Sequence, residues 1–115
     1  MINVVIQGIG FVGAVTAVAI ASKTNRSNKP IFNVVGIDQP TTLGKKKIRS
    51  INKGNLPFIS NDKLLLKFIK KCVKQKNLKA TSSKKIYSKA DVILISINWI
   101  ASMYWMYSMF WKDSI

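Results

Sequence analysis

Three glycines near the start of the chain have the spacing of a phosphate-binding turn. The motif reads Gly8-Ile-Gly-Phe-Val-Gly13 and follows directly on an apolar, β-branched run. In such a turn Gly8 permits the tight bend, Gly10 lets the backbone approach a pyrophosphate, and Gly13 allows close packing of helix on strand. The backbone N–H groups around Phe11 and Val12, at the positive end of the following helix, would then hold the phosphates.

A carboxylate follows the next apolar run. Asp38 comes directly after the segment 31–37, 25 residues beyond the last glycine of the motif. A carboxylate at such a strand end accepts hydrogen bonds from both hydroxyls of an adenosine ribose and repels a 2′-phosphate, which favours NAD over NADP. Lys45, Lys46 and Arg49 are close enough in sequence to argue for NADP instead. A simple turn residue is the alternative interpretation of Asp38.

Strands and helices that would position these residues alternate along the chain. Apolar, β-branched segments predict buried parallel strands at 2–7, 31–37 and 92–97, with a shorter strand at 78–82. Helices are predicted over 11–22, which is Ala- and Val-rich and uncharged, about 42–53, 63–76, where apolar residues recur at helical spacing, and 83–89. Gly54 suits the position just beyond the second helix, and Asp62 suits the N-cap of the third. This alternation predicts an α/β, Rossmann-type, mostly parallel sheet with helices on both faces, in an incomplete form.

The strong positive charge has two interpretations. The 115 residues include 19 basic and four acidic side chains, for a net charge of +15. Only two of the basic residues are arginines, the side chain that reads bases and phosphates in a planar, bidentate manner. The lysines also lack the interleaved aromatic residues that a nucleic-acid stacking surface needs. A solvated, lysine-rich surface is therefore preferred over a specific nucleic-acid interface.

The third predicted helix places its lysines opposite an apolar stripe, and one cysteine, Cys72, lies beside that stripe. The stripe consists of Leu64, Leu65, Phe68, Ile69 and Val73. Cys72 is the only cysteine, and the chain has no histidine. These counts exclude an internal disulfide, a multi-cysteine zinc site, a histidine-ligated metal and an imidazole general base. No metal site is therefore predicted, and Cys72 is interpreted as a core residue.

Five motifs in order resemble the N-terminal domain of the UDP-glucose/GDP-mannose dehydrogenase family, the nucleotide-sugar 6-dehydrogenases. They are Ile6-Gln-Gly-Ile-Gly-Phe-Val-Gly13, Val35-Gly-Ile-Asp38, Ile51-Asn-Lys-Gly-Asn-Leu-Pro-Phe58, Leu78-Lys-Ala-Thr-Ser82 and Ala90-Asp-Val-Ile-Leu-Ile-Ser96. The resemblance implies NAD as the cofactor and a cytoplasmic oxidoreductase of polysaccharide biosynthesis. Such an enzyme oxidises the C6 alcohol of a sugar to a carboxylate in two NAD-dependent steps. The resemblance also places Ser96 among the cofactor contacts.

The resemblance also identifies departures from the family pattern. The family continues into a central helical segment and a C-terminal domain, which bind the nucleotide sugar and supply a catalytic cysteine and lysine. The 115-residue chain holds neither, and Cys72 matches no catalytic motif. Ser60 and Asn61 stand where an acidic residue is common, and Asn98-Trp-Ile100 replaces a cofactor-contacting loop. We therefore expect an NAD-binding domain over 1–98 with no catalytic residues, inactive by itself and without the nucleotide sugar.

The last segment, 99–115, is expected to be an atypical tail. It holds all three tryptophans, two of three tyrosines and three of four methionines. Such a composition suits a membrane interface, but a reading-frame change near Asn98 with an early stop is the favoured explanation. Uncharged stretches at 2–22 and 92–111 are also long enough to span a bilayer. The alternative function is a small basic membrane-associated or nucleic-acid-binding protein.

Overall fold

The chain folds as a parallel sheet with helices packed on it. A computed structural model describes residues 1–96. In chain order the elements are β1 (Ile2–Gln7), α1 (Phe11–Ala21), β2 (Phe32–Ile37), α2 (Thr42–Asn52), α3 (Lys63–Lys74), β3 (Leu78–Thr81), a 3-10 helix (Lys84–Lys89) and β4 (Val92–Ile95). All pairings within the sheet are parallel, in the order β3-β2-β1-β4. The predicted α/β, Rossmann-type fold class is confirmed.

The two faces of the sheet carry different coverings. Successive side chains of a strand point to opposite faces, so alternate residues form two separate layers. Ile6 and Leu78 belong to the layer that packs against α1, α2 and α3. Val5 and Ile37 belong to the other layer, which packs against the 3-10 helix. Helical elements of the described chain thus lie on both faces, with the three α-helices together on one.

The element boundaries agree closely with those expected from the sequence. The Asp62 carboxylate accepts a hydrogen bond from the N–H of Leu65 at 3.0 Å, which confirms the predicted N-cap of α3. Gly54 has a φ of +80° and follows the C-cap of α2, as predicted for a position that favours glycine. The small helix predicted at 83–89 is a 3-10 helix, Lys84–Lys89.

Leu64 is a correction within the predicted apolar stripe of α3. It is 60% exposed, whereas Leu66 packs against the core. The two leucines flank a stripe centred on Ile69 and Cys72, the two buried residues of α3. Phe68, one turn after Leu64 on the same flank, does pack against the core, so the contact on that flank begins only after the first turn of α3.

A strand forms within the predicted range 92–97, at Val92–Ile95, but the prediction that it is buried is wrong. The side chains of β4 are 36–50% exposed, because this strand pairs only with β1 among the described residues. Ile97 and the predicted tail at 99–115 lie outside the described residues. Within residues 1–96, no helix is both long enough and apolar enough to cross a membrane.

Cys72 lies in the core, as predicted. Its side chain is 1% exposed and belongs to the same cluster as Ile69 and Leu78. Burial raises the pKa of the Cys72 thiol, so the thiol stays protonated and a poor nucleophile near neutral pH. Within the part of the chain that the structure describes, no three His, Cys, Asp or Glu side chains form a group that could hold a metal ion.

Candidate functional site

The turn between β1 and α1 brings backbone close to backbone. Gly8 has a φ of +93°, in the left-handed region that favours glycine. A Cβ added to Gly13 would lie 2.8 Å from the carbonyl carbon of Gly8 and closer still to its oxygen. The first turn of α1 therefore lies directly against the end of β1, and only glycine fits at position 13.

The start of α1 opens onto free space. Gly10 is the N-cap of α1, and no heavy atom lies within 4 Å of the place where its Cβ would be. Phe11 and Val12, the next two residues, are 67% and 63% exposed. No side chain caps this helix end, and its first turn holds no acidic residue. The positive end of an α-helix with uncapped N–H groups is thus available to an anion.

Asp38 connects the end of β2 to this turn. Its Oδ2 accepts a hydrogen bond from the N–H of Ile9 at 3.2 Å, and its Oδ1 accepts one from the N–H of Gln39 at 2.8 Å. The residue is 8% exposed. A carboxylate oxygen has two lone pairs, so each oxygen can accept one further hydrogen bond. The carboxylate can therefore bind a pair of adjacent hydroxyl groups while it holds the glycine-rich turn.

The residue after β4, Ser96, lies beside the turn between β1 and α1. The N–H of Ser96 donates to the carbonyl oxygen of Gln7 at 2.8 Å. The Cβ of Ser96 would lie 3.5 Å from a Cβ added to Gly13. The structure thus brings the residues singled out by the sequence to the carboxyl end of the sheet. They are Gly8, Gly10, Phe11, Val12, Gly13, Asp38 and Ser96.

The second strand-to-helix turn repeats the close approach of the first. A Cβ added to Gly44 would lie 2.9 Å from the carbonyl carbon of Gln39 and closer still to its oxygen. The Thr41 hydroxyl accepts a hydrogen bond from the N–H of Gly44 at 3.0 Å and so caps α2. In both turns the glycine follows its carbonyl partner by five residues. The start of α2 therefore lies directly against the backbone of the turn that follows β2.

Lys47 is a site residue that the sequence analysis missed. It lies three residues after Gly44, and its ammonium nitrogen is 3.8 Å from Oδ2 of Asp38. Lys45, Lys46 and Arg49, considered earlier as arguments for NADP, are exposed. The signal that could have identified Lys47 is its spacing from Gly44, because residues three apart lie on the same side of a helix.

The motif at 51–58 contacts both β3 and the start of α1. The Asn52 amide donates to the carbonyl oxygen of Ala80 at 3.0 Å and accepts from its N–H at 2.8 Å, so it pairs with β3 as a strand would. The ring of Phe58 lies against that of Phe11, with centroids 4.8 Å apart and planes tilted by 45°. The motif thus holds the β3 backbone at one end and contacts the first residue of α1 at the other.

A buried polar pair lies on the other face of the sheet. The Tyr87 hydroxyl donates to Oε1 of Gln7 at 2.6 Å. Gln7 is fully buried, and its amide nitrogen has no hydrogen-bond partner in the part of the chain that is described. Burial raises the pKa of Tyr87 to about 12. This phenol stays neutral at physiological pH.

Comparison with known proteins identifies the family. Residues 2–100 match the NAD binding domain of the UDP-glucose/GDP-mannose dehydrogenase family. The chain belongs to this family. It is the NAD-binding domain of a UDP-glucose/GDP-mannose dehydrogenase family member, as the order of its motifs predicted. No curated protein sequence matches it.

Solved structures of nucleotide-sugar dehydrogenases share the fold. An NDP-N-acetyl-D-galactosaminuronic acid dehydrogenase from Methanosarcina mazei Go1 matches with a TM-score of 0.72 and 23% identity, over 85% of this chain and 20% of that one. A ternary complex of GDP-mannose dehydrogenase from Pseudomonas aeruginosa matches with a TM-score of 0.66 and 27% identity, over 83% and 19%. A UDP-D-ManNAc dehydrogenase from Pyrococcus horikoshii matches with a TM-score of 0.67 and 23% identity, over 84% and 20%.

The extent of these matches defines what the domain shares with the solved enzymes. The chain spans about one fifth of the length of each of them. The shared part is the NAD-binding domain, which agrees with the predicted cofactor.

Proposed function

We propose that the turn at 8–13 binds the pyrophosphate of NAD and that Asp38 binds the adenosine ribose. The observation that carries this proposal is the hydrogen bond from the Ile9 N–H to Oδ2 of Asp38 at 3.2 Å. This bond holds the carboxylate beside the uncapped positive end of α1. The two recognition elements are therefore adjacent, as one dinucleotide requires, with a backbone anion site next to a hydroxyl acceptor.

Each predicted residue then has a defined task. Gly10 leaves the space in which the phosphates approach the backbone, and the N–H groups near Phe11 and Val12 bind phosphate oxygens. Gly8 and Gly13 keep α1 close enough to β1 for these N–H groups to meet the ligand. Ser96, at the end of β4, lies beside Gly13 and would contact the cofactor on the far side of the turn.

NAD would supply the hydride acceptor, and the domain would orient it. We propose that the chain serves as the cofactor domain of a longer cytoplasmic enzyme, which oxidises a UDP- or GDP-sugar CH–OH group to a carboxylate. The nucleotide sugar and the catalytic nucleophile would belong to other domains. Asp38 and the glycines bind and position the cofactor in this proposal, and no residue of 1–98 performs the chemistry.

Calorimetric titration of the purified chain with NAD tests the ribose assignment. Asp38→Ala removes the acceptor for two ribose hydroxyls, and hydrogen bonds to a charged group contribute about 1.5–3 kcal/mol each. We expect the dissociation constant for NAD to rise at least tenfold, since about 1.4 kcal/mol corresponds to a factor of ten. Asp62→Ala is the matched control, because Asp62 also accepts from a backbone N–H but caps α3 instead of the site.

Two results would contradict the proposal. One is a folded chain that shows no heat of NAD binding but binds liposomes or DNA, which would favour the alternative membrane or nucleic-acid function. The other is equal weakening of NAD binding by Asp38→Ala and Asp62→Ala, which would show that Asp38 acts only through stability. Circular dichroism of each variant establishes that it is folded.

A further inference from the structure

The side chain of Ile9, the residue between the first two glycines of the turn, enters the core. It is fully buried and belongs to the cluster that includes buried residues of all three α-helices. Gly36 of β2 and Ala80 of β3 are paired in the sheet, and together they form a seat for this side chain. A Cβ added to Gly36 would lie 2.5 Å from Cγ2 of Ile9 and 4.0 Å from the Cβ of Ala80. The seat therefore exists because one of its residues has no side chain and the other has only a methyl group.

The backbone of Ile9 has an anchor of its own. Its N–H donates to Oδ2 of Asp38 at 3.2 Å, at the long end of the range for such hydrogen bonds. Gly10, whose Cβ position is open space, follows directly. Ile9 is thus held twice, by the seat through its side chain and by the carboxylate through its N–H, immediately before the residue that opens onto the anion site.

The seat is fixed from the side of β3. The Asn52 amide accepts from the N–H of Ala80 at 2.8 Å and donates to its carbonyl oxygen at 3.0 Å. Asn52, Ala80, Gly36 and Ile9 come from four separate motifs of the sequence. Their contacts therefore join four motifs that are distant along the chain into one support for the turn.

We propose that Ile9 is a positioning residue for NAD, which acts through its seat on Gly36 and Ala80. The inference rests on the NAD site proposed above. The Ile9 side chain is 0% exposed, so it contacts no ligand and acts through the backbone of the turn. Because the bond from Ile9 to Asp38 is already long, a displacement of about 1 Å breaks it and separates the pyrophosphate turn from the ribose carboxylate.

The competing interpretation is that Ile9 only fills the core. Loss of core packing alone lowers Tm but leaves the NAD affinity of the folded molecules unchanged. Ile69 is the matched control, because it is also an isoleucine with 0% exposure in the same cluster, but it lies on α3 instead of in the turn. Ile9→Ala and Ile69→Ala remove the same carbon atoms.

The test is titration of the full chain with NAD for the wild type, Ile9→Ala, Ile69→Ala, Gly36→Ala and the double variant Gly36→Ala/Ile9→Ala. Each titration is done at a temperature at which circular dichroism shows that the variant is folded. Carbon atoms pack at about 3.5–4.0 Å, so the methyl group of Gly36→Ala must displace Cγ2 of Ile9 by about 1 Å. Loss of one hydrogen bond to a charged group corresponds to about tenfold in affinity.

The expected order of affinities includes a rescue. We expect the NAD dissociation constant to rise about tenfold in Gly36→Ala and about fivefold in Ile9→Ala, but less than about twofold in Ile69→Ala. The double variant lacks the Cγ2 atom that the new methyl group meets, so it should bind NAD about threefold more tightly than Gly36→Ala alone. Independent losses of packing would instead make the double variant the weaker binder.

Hydrogen exchange of the amide at position 9 gives a readout that needs no NAD. With each rate corrected for the intrinsic rate of the residue, we expect protection to fall about tenfold in Gly36→Ala and to recover in the double variant. If Gly36→Ala does not fold, Ile9→Val and Ile69→Val repeat the comparison with the loss of one methyl group, which cores tolerate. Only Ile9→Val should then lower protection at position 9.

Three results would overturn the inference. The first is an amide at position 9 that stays as protected in folded Gly36→Ala, or in Ile9→Val, as in the wild type. The second is an equal effect of Ile9→Ala and Ile69→Ala on NAD affinity, or a double variant that binds more weakly than Gly36→Ala. In both cases the NAD site survives and only the positioning role fails. The third is a folded wild-type chain that binds no NAD, which refutes the proposed site and the inference together.

Discussion

Two glycines of the same turn should respond oppositely to the same substitution. In Gly13→Ala the new methyl group would meet the Gly8 carbonyl carbon at 2.8 Å, with the carbonyl oxygen closer still. In Gly10→Ala the new methyl group meets no protein atom within 4 Å, and the φ of −73° suits alanine. The first change should therefore damage the fold, and the second should damage only ligand binding.

The size of the stability effect follows from the distance. Carbon atoms pack at about 3.5–4.0 Å and the carbonyl oxygen lies closer than the carbonyl carbon, so α1 must withdraw from β1 by more than about 1 Å to admit a methyl group at position 13. The obstacle is backbone, which cannot rotate aside as a side chain can. Overpacking of this kind costs about 2–3 kcal/mol, which corresponds to a fall in Tm of about 10–20 °C for a domain of this size. Gly10→Ala should leave Tm unchanged or slightly raised, because alanine restricts the unfolded chain.

Thermal unfolding and NAD titration of both variants measure these effects. We expect Gly13→Ala to lose stability, and Gly10→Ala to keep it while its NAD affinity falls at least tenfold, because its methyl group would occupy the space proposed for the pyrophosphate. A Gly13→Ala variant as stable as the wild type would refute the reasoning about helix–strand contact. Unchanged NAD affinity in Gly10→Ala would refute the placement of the pyrophosphate.

Further predictions concern the edge strand, the buried phenol and the buried thiol. Asn52→Ala leaves both backbone groups of Ala80 without their partner and should lower the free energy of unfolding in urea by about 1–3 kcal/mol. The exposed Asn55→Ala should change it by less than about 0.5 kcal/mol, and equal effects would contradict the edge-pairing role. Because burial raises the pKa of Tyr87 to about 12, its neutral form is the stabilised one, and stability should fall as pH rises from about 10 to 12. Tyr87 is partly exposed, so this loss should be about 1 kcal/mol, and a comparison of unfolding curves should show that Tyr87→Phe lacks it. The Cys72 thiol should react with a disulfide reagent at pH 8 only after urea unfolds the chain, and rapid reaction in the native state would contradict its burial.

Local sequence determined the secondary structure of this domain. The β-branched runs, the helical stripes, the Asp62 cap and Gly54 each act over a few residues, and for this reason their predicted positions agree with the structure. The residue types of the candidate site could also be recognised from short segments of the sequence. A glycine-rich turn and a strand-end Asp38 have the residue types that a dinucleotide requires, and these types can be recognised before any contact is known.

Contacts between distant segments were decided by the tertiary structure alone. The sequence contained no direct sign that Asn52 would pair with the backbone of Ala80, or that the carboxylate of Asp38 would accept a hydrogen bond from the N–H of Ile9. Burial of β4 depends on what packs beside it, so an apolar run alone could not predict that its side chains would be exposed.

The charge next to Asp38 best separates what the sequence determined from what the tertiary structure decided. Four basic residues follow it within a few turns, and the sequence alone pointed to Lys45, Lys46 and Arg49 but not to Lys47. Helix α2 starts against the turn that follows β2 because Gly44 has no side chain, and this packing brings the ammonium group of Lys47 to Asp38. The residue types at the proposed ribose position were thus determined by the sequence, whereas the charge beside Asp38 was decided by how α2 packs on the turn before it.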